Sequence, residues 1–395
     1  MLSKRLDNIA PSVTIGVSSK VKEMKNEGID VISLSIGEPD FNVPEKAKEY
    51  GKKSLDDNKT KYDFPSGILE LREEICKKLL KENNISYTPD QIVLSSGAKN
   101  SITNVLLATT DPGSEVLLPL PYWVSYSEMV KVVNAVPVEV HTSKENNFKL
   151  TKENLLESIT DRTRLLILTN PSNPTGAVYT RQELEDIASV CLEKGIYILA
   201  DEIYEKIRFD DSFVSVASLS QEIKDITITV NGFAKCAAMT GTRLGYTASN
   251  TNIAKAMTSI QSHIVSHPSL TAQYIGLGAL VECEDDMQNM VATYKRRCQL
   301  ITSRLDKIKG ISYIKPSGAF YIFIDLSEIK KNFSYKESFS LEFCEDFLKE
   351  EKVAIIPGKA FGIDNYVRIS YACHEDDFLE GIDRLERYIK RYLDI

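Results

Sequence analysis

The chain has 395 residues, 43% of them hydrophobic and 26% charged, with a formal net charge of −8. That length can bury a full core and suggests two or three domains, in a composition ordinary for a soluble protein. The acidic balance argues against a sequence-independent grip on nucleic acid, and no run of about 18 apolar residues is present to span a membrane. The N-terminal MLSKRLDNIAPSVT is polar and lacks the apolar core of a secretory signal, so a cytoplasmic location is the expectation. Further along, short apolar runs alternate with amphipathic stretches: QIVL at 91–94, EVLLPL at 115–120, RLLILTN at 164–170, YILAD at 197–201 and TITVNG at 227–232. This alternation predicts an α/β domain with a largely parallel, buried sheet. Between the runs, RQELEDIASVCLEKG at 181–195 has apolar residues at helical spacing and a closing glycine suited to a C-cap. The last hundred or so residues mix strands, YIFIDL at 321–326, VAIIP at 353–357 and YVRISYA at 366–372, with helical pieces such as FLEGIDRLERYIKRYL at 378–393. They predict a smaller α+β domain, joined to the first by a helix near 285–310.

Several residues stand out for their chemistry. Cys76, Cys191, Cys236, Cys283, Cys298, Cys344 and Cys373 form no CxxC pair, and His141, His263, His267 and His374 have no ligand spacing, so neither a metal site nor a disulfide framework is signalled. The cysteines read as small core residues, Cys236 included. SSGAKNSITNVLLAT at 95–109 follows a strand and opens a helix, which would aim the backbone N–H groups of Gly97, Ala98 and Lys99 at an anion. Lys99 also reads as a solvated first-turn lysine. Asp201 ends an apolar strand; it is either a helix N-cap or a carboxylate facing a ligand at the strand's carboxyl end. Trp123, the chain's only tryptophan, would ordinarily be core. Arg368 alternates with apolar residues in a strand, which demands either a structural salt bridge or a site to face.

In NGFAKCAAMTGTRLGY at 231–246, Lys235 ends an apolar run and Arg243 lies in a glycine-flanked turn. Together with PSNPTG at 171–176 and ILADEIYEK at 198–206, these motifs supply an amine, a carboxylate, a phenol and a guanidinium, the protein groups that pyridoxal phosphate needs. On them, over about residues 3–392, the chain resembles the class I/II aminotransferases of fold type I, in the bacterial-type aspartate aminotransferase branch.

The resemblance implies a fold-type I architecture: a large domain with a mostly parallel seven-stranded sheet over 46–290, a smaller α+β domain over 291–395, and an arm at 1–45 that completes it. It implies that Lys235 carries pyridoxal 5'-phosphate and moves the α-proton, that Asp201 holds the ring nitrogen, and that Asn173 and Tyr204 bond the 3-oxygen while Trp123 stacks on the ring. The Gly97–Lys99 turn and Arg243 would cradle the phosphate, with Tyr62 reaching it from a second subunit of a homodimer. Arg368, with Asn173, Gly37 and Trp123, would hold the substrate, and Lys99, Ser12 and Thr14 the distal carboxylate of aspartate. Two half-reactions would then exchange an L-amino acid and a 2-oxo acid, 2-oxoglutarate being the implied acceptor. Ala234, Thr242 and the HPSL turn at 267–270 depart from the family's usual residues. Val43 favours aspartate over prephenate. Alanine or aromatic donors stay open, as do a carbon–sulfur lyase on the same fold and a cofactor-sensing regulator; the regulator is disfavoured by the acidic charge and by catalytic motifs that begin near residue 37.

Overall fold

The apolar runs become strands of three sheets, and the seam between the two larger ones holds the functional residues. The computed structural model describes residues 2–210 and 213–393. Its first eight strands are β1 (Ile32–Ser33), β2 (Ile92–Ser95), β3 (Glu115–Pro119), β4 (Val136–Val140), β5 (Thr163–Thr169), β6 (Tyr197–Asp201), β7 (Thr227–Gly232) and β8 (Gly245–Ala248). Seven of them form a sheet of order β2-β8-β7-β6-β5-β3-β4. Only β8 runs antiparallel to its neighbours. The inner strand β7 is buried from end to end, which is why it reads as a continuous rather than an alternating apolar run.

Two strands of this sheet escape the sequence reading. The edge strand β4, VPVEV, exposes Val136 and Glu139 and tolerates Pro137, so it lacks the apolar signature of its neighbours. The four-residue β8 begins at Gly245 and exists because β2 and β7 flank it on both sides. The predicted helix at 181–195 spans Arg181–Lys194. Thr180 and Glu183 close a reciprocal capping box at its start, and Gly195 ends it in the left-handed region at φ 66°. Four earlier helices matter below: α1 (Val13–Asn26), α2 (Glu45–Asp56), α3 (Leu69–Asn83) and α4 (Ala98–Thr109).

The C-terminal strands are β9 (Ser312–Tyr313), β10 (Tyr321–Asp325), β11 (Val353–Ala354), β12 (Ile356–Pro357) and β13 (Tyr366–Ser370). An antiparallel sheet of order β12-β13-β10-β9 forms from four of them. The run VAIIP, predicted as one strand, is two: β11 pairs with β1 in parallel and β12 pairs with β13 antiparallel. An apolar run records burial, not which partner each residue takes. The predicted connecting helix is Glu284–Leu305, about 33 Å long at the usual rise. One aromatic-rich core, with Phe320, Phe343, Phe347 and Tyr388, also takes in Ile203, Tyr204 and Ile207 from the loop after β6. That loop is therefore locked to β10 and β13.

Candidate active site

A cavity of about 530 Å³ lies at the seam, with walls from α1, α4, the carboxyl ends of β5 and β6, and strands β10 and β13. Lys235 reaches it from a single helical turn, Phe233–Cys236, that follows β7 directly. Its Nζ donates to the Gly37 carbonyl and lies 5.8 Å from the ring centres of Tyr204 and Phe320. Burial, reinforced by the nearby Arg368 charge, lowers its pKa from 10.5 to about 8. An amine so tuned yields its free base at a lower pH than an ordinary lysine does.

Asp201 ends β6, is 4% exposed, and accepts from the Tyr126 hydroxyl at 2.6 Å and from the Ile203 amide at 3.3 Å. No α-helix starts there, so the N-cap alternative is not what the fold uses. Burial raises its pKa, and the Tyr126 hydrogen bond works against that shift by favouring the ionised form. The Tyr126 hydroxyl also bonds Thr169 Oγ1 at 2.7 Å. Tyr204 meets Tyr321, hydroxyl to hydroxyl, at 2.7 Å. Trp123 lines the cavity, edge-on to Tyr126 at 5.3 Å.

The anion cradle forms where α4 begins. Gly97, at φ 86°, is its N-cap, and the Gly97 amide already donates to the Ser95 carbonyl at 2.7 Å. The free first-turn amides are therefore those of Ala98 and Lys99, and Gly97 contributes space rather than the N–H the sequence reading assigned it. A Cβ on Gly97 would fall 2.5 Å from Arg243 Nη2. Arg243, itself at φ 57°, donates to the Thr240 carbonyl at 2.7 Å, and the Thr240 hydroxyl donates to Glu38 at 2.9 Å. Thr242 stiffens this turn by donating to the Met239 carbonyl at 2.9 Å, while Ala234 brings only a methyl to the cavity wall.

Arg368 lies in β13 at 3% exposure and stacks 4.3 Å from the Tyr321 ring centre. It donates to Asn173 Oδ1 at 3.2 Å and to the Ser35 carbonyl at 2.8 Å, and its Nε is unpartnered. Among the described residues no carboxylate pairs with it, which removes the structural salt bridge and leaves a buried cation facing a cavity. Lys99 Nζ donates to Ser125 Oγ at 3.1 Å and sits 4.8 Å from the Trp123 ring centre; burial first, then Arg243, lowers its pKa. It lines the cavity and is exposed to solvent as well.

Thr14 also lines the cavity, whereas Ser12 does not: its hydroxyl caps α1 by accepting from the Ile15 amide at 3.5 Å and bonds Thr14 Oγ1 at 3.1 Å. Tyr62 stands outside the cavity of its own chain, 90% exposed and edge-on to His267 of the HPSL turn.

The model of the family described as aminotransferase class I and II matches residues 29–385. The chain belongs to this family. A protein of Aquifex aeolicus named probable aspartate/prephenate aminotransferase is 43% identical, over 98% of both chains. The aspartate aminotransferase of Bacillus subtilis is 40% identical over 99% of both. Among solved structures, the aspartate aminotransferase from Thermus thermophilus with maleate superimposes with a TM-score of 0.92 at 37% identity, covering 98% of this chain and 99% of that one. The protein is thus a fold-type I, pyridoxal phosphate-dependent aminotransferase.

Four polar groups of this aminotransferase's site escaped the sequence reading: Tyr126, Thr169, Ser35 and Tyr321. Tyr126 lies three residues after Trp123, in the first turn of the helix Ser125–Val132, and Thr169 closes β5 at the carboxyl edge where α/β sheets present ligands; both positions carry a readable signal. Tyr321 reads as core because it opens the apolar strand YIFIDL, and Ser35 acts only through its backbone carbonyl.

Proposed function

We propose that this aminotransferase transfers the amino group of aspartate to 2-oxoglutarate on pyridoxal 5'-phosphate held by Lys235. The side chains present fit that cofactor: a buried carboxylate with no salt-bridge partner among the described residues, which would face the ring nitrogen, an amine tuned to about 8, and a glycine-cleared helix start beside Arg243. When bound, the cofactor supplies an electron sink for the substrate α-carbon. Ionised Asp201 would keep the ring nitrogen protonated, and Tyr204 and Asn173 would orient the 3-oxygen. Arg368 and Asn173 grip the α-carboxylate, for which a guanidinium offers parallel hydrogen bonds. Lys235 takes the α-proton.

The donor assignment rests on one observation: Lys99 is a cation on the cavity wall, held by Ser125 and Trp123, with no carboxylate of its own among the described residues. An acidic side chain is the ligand it lacks, and Thr14 lines the same cavity. Full-length relatives named for aspartate support the reading. A panel of amino donors against 2-oxoglutarate tests it. Aspartate and glutamate should far outrun alanine and leucine, and Lys99→Met should erase that preference while leaving the cofactor spectrum intact. Alanine or an aromatic amino acid in the lead would refute it. Prephenate belongs in the panel as acceptor, because the Aquifex relative is named for it too.

Residues 46–290 form the proposed cofactor domain, with 291–395 and the 1–45 arm making the smaller one. We place the active unit in the cytoplasm as a homodimer, in which Tyr62 reaches the phosphate of the second subunit. Exposed Tyr62, Phe64 and Ile264 are the surface such a dimer would cover.

A further inference from the structure

Five basic side chains and a single carboxylate line the cavity. The proposed function employs four of the five: Arg368 for the α-carboxylate, Arg243 for the phosphate, Lys235 for proton transfer and Lys99 for the distal acid. Lys22 is left over. It lies on α1 in one row with Thr14 and Ser18, at successive i, i+4 positions, and all three line the cavity. The rotation of α1 is set by its other face, where Val17, Val21 and Met24 pack against Ala354 and Leu348. The Lys22 row is thereby turned to the cavity and away from the core. Lys20, two residues earlier, pairs with Glu23 at 3.7 Å and lines a different pocket, beside Leu341 and Leu348. Lys22 pairs with no carboxylate among the described residues, and it is exposed to solvent at the cavity wall.

We propose that Lys22 is a specificity-determining cation at the mouth of the substrate cavity, which draws in dicarboxylates and favours them over singly charged acids. A cleft lined by one sign of charge focuses its field toward the opening and raises the local concentration of oppositely charged ligand. The effect follows net ligand charge: 2-oxoglutarate carries two negative charges, aspartate a net one and alanine none. Lys22 therefore does more for the oxo-acid half-reaction than for the amino-acid one. The proposal rests on the reading that the cavity takes acidic substrates.

The test compares Lys22→Glu, Lys22→Gln and Lys20→Glu in the cofactor-loaded enzyme. Succinate, a dicarboxylate that cannot react, is titrated by calorimetry, and kcat and KM are measured for 2-oxoglutarate, aspartate and alanine. At low salt Lys22→Glu should weaken succinate and raise the 2-oxoglutarate KM by about tenfold, with a smaller rise for aspartate and the least for alanine. Lys22→Gln should fall between wild type and Lys22→Glu. The differences should shrink in about 0.5 M salt as exposed charges are screened. Lys20→Glu makes the same charge change on the same helix away from the cavity and should behave as wild type. Equal effects on all three substrates, an unchanged succinate affinity, or a Lys20→Glu variant that matches Lys22→Glu would overturn the assignment. A wild-type enzyme that prefers alanine would instead sink the acidic-substrate reading on which it rests.

Discussion

Lys235 and Arg368 show how burial converts an ordinary side chain into a reagent. Lys235 is protonated below about pH 8 and free above it, so the rate at which apoenzyme captures pyridoxal phosphate should climb about tenfold per pH unit up to about 8 and then level off. A lysine of ordinary basicity would keep climbing toward 10.5. Absorbance during reconstitution follows the rate, and borohydride reduction followed by mass spectrometry should find the label on the peptide containing Lys235. Arg368 is buried without an anion, so its charge is satisfied only when a carboxylate arrives. Arg368→Leu should weaken aspartate and 2-oxoglutarate alike by about 2–5 kcal/mol while the bound-cofactor spectrum stays as in wild type. Unchanged Michaelis constants would return Arg368 to a structural role.

The start of α4 works as an element because two glycines let three segments converge. A Cβ on Gly97 would meet Arg243, and one on Gly245 would fall 2.4 Å from the Ala98 amide nitrogen. Gly97→Ala should push the guanidinium aside and lose its hydrogen bonds to the phosphate, costing cofactor binding about 1.5–3 kcal/mol. Gly241→Ala, in the same turn as Arg243 but with open space around it and no left-handed φ, should bind cofactor normally. Spectrophotometric titration of both variants separates a specific approach from general loosening of the turn. If both lose affinity equally, the cradle does not depend on the Gly97 contact.

At the scale of the whole molecule, the aromatic core that joins the loop after β6 to β10 and β13 makes the cavity a property of two sheets at once. Tyr62 at 90% exposure, Phe64 at 67% and Ile264 at 56% lie on the surface, outside the buried clusters. Sedimentation should therefore give a dimer at micromolar concentration, and Tyr62→Phe should speed cofactor loss without dissociating it. A monomer that retains full activity would remove the shared site.

Local chemistry was legible along the chain. The buried strands, the 181–195 helix with its glycine C-cap, the glycine turn before α4, and Lys235 after β7 all follow from side-chain period, capping preference and turn requirements, which act within a few residues. What only the tertiary structure decided are matters of partnership between distant segments. VAIIP divides between two sheets, β8 forms because strands flank it on both sides, and Thr14 rather than its neighbour Ser12 faces the cavity. Arg368 proves to lack a carboxylate among the described residues, and Lys22 to line the same cavity as Lys99. Burial and pairing are sums over contacts far apart in sequence, and a local pattern states that a residue will be buried without stating against what.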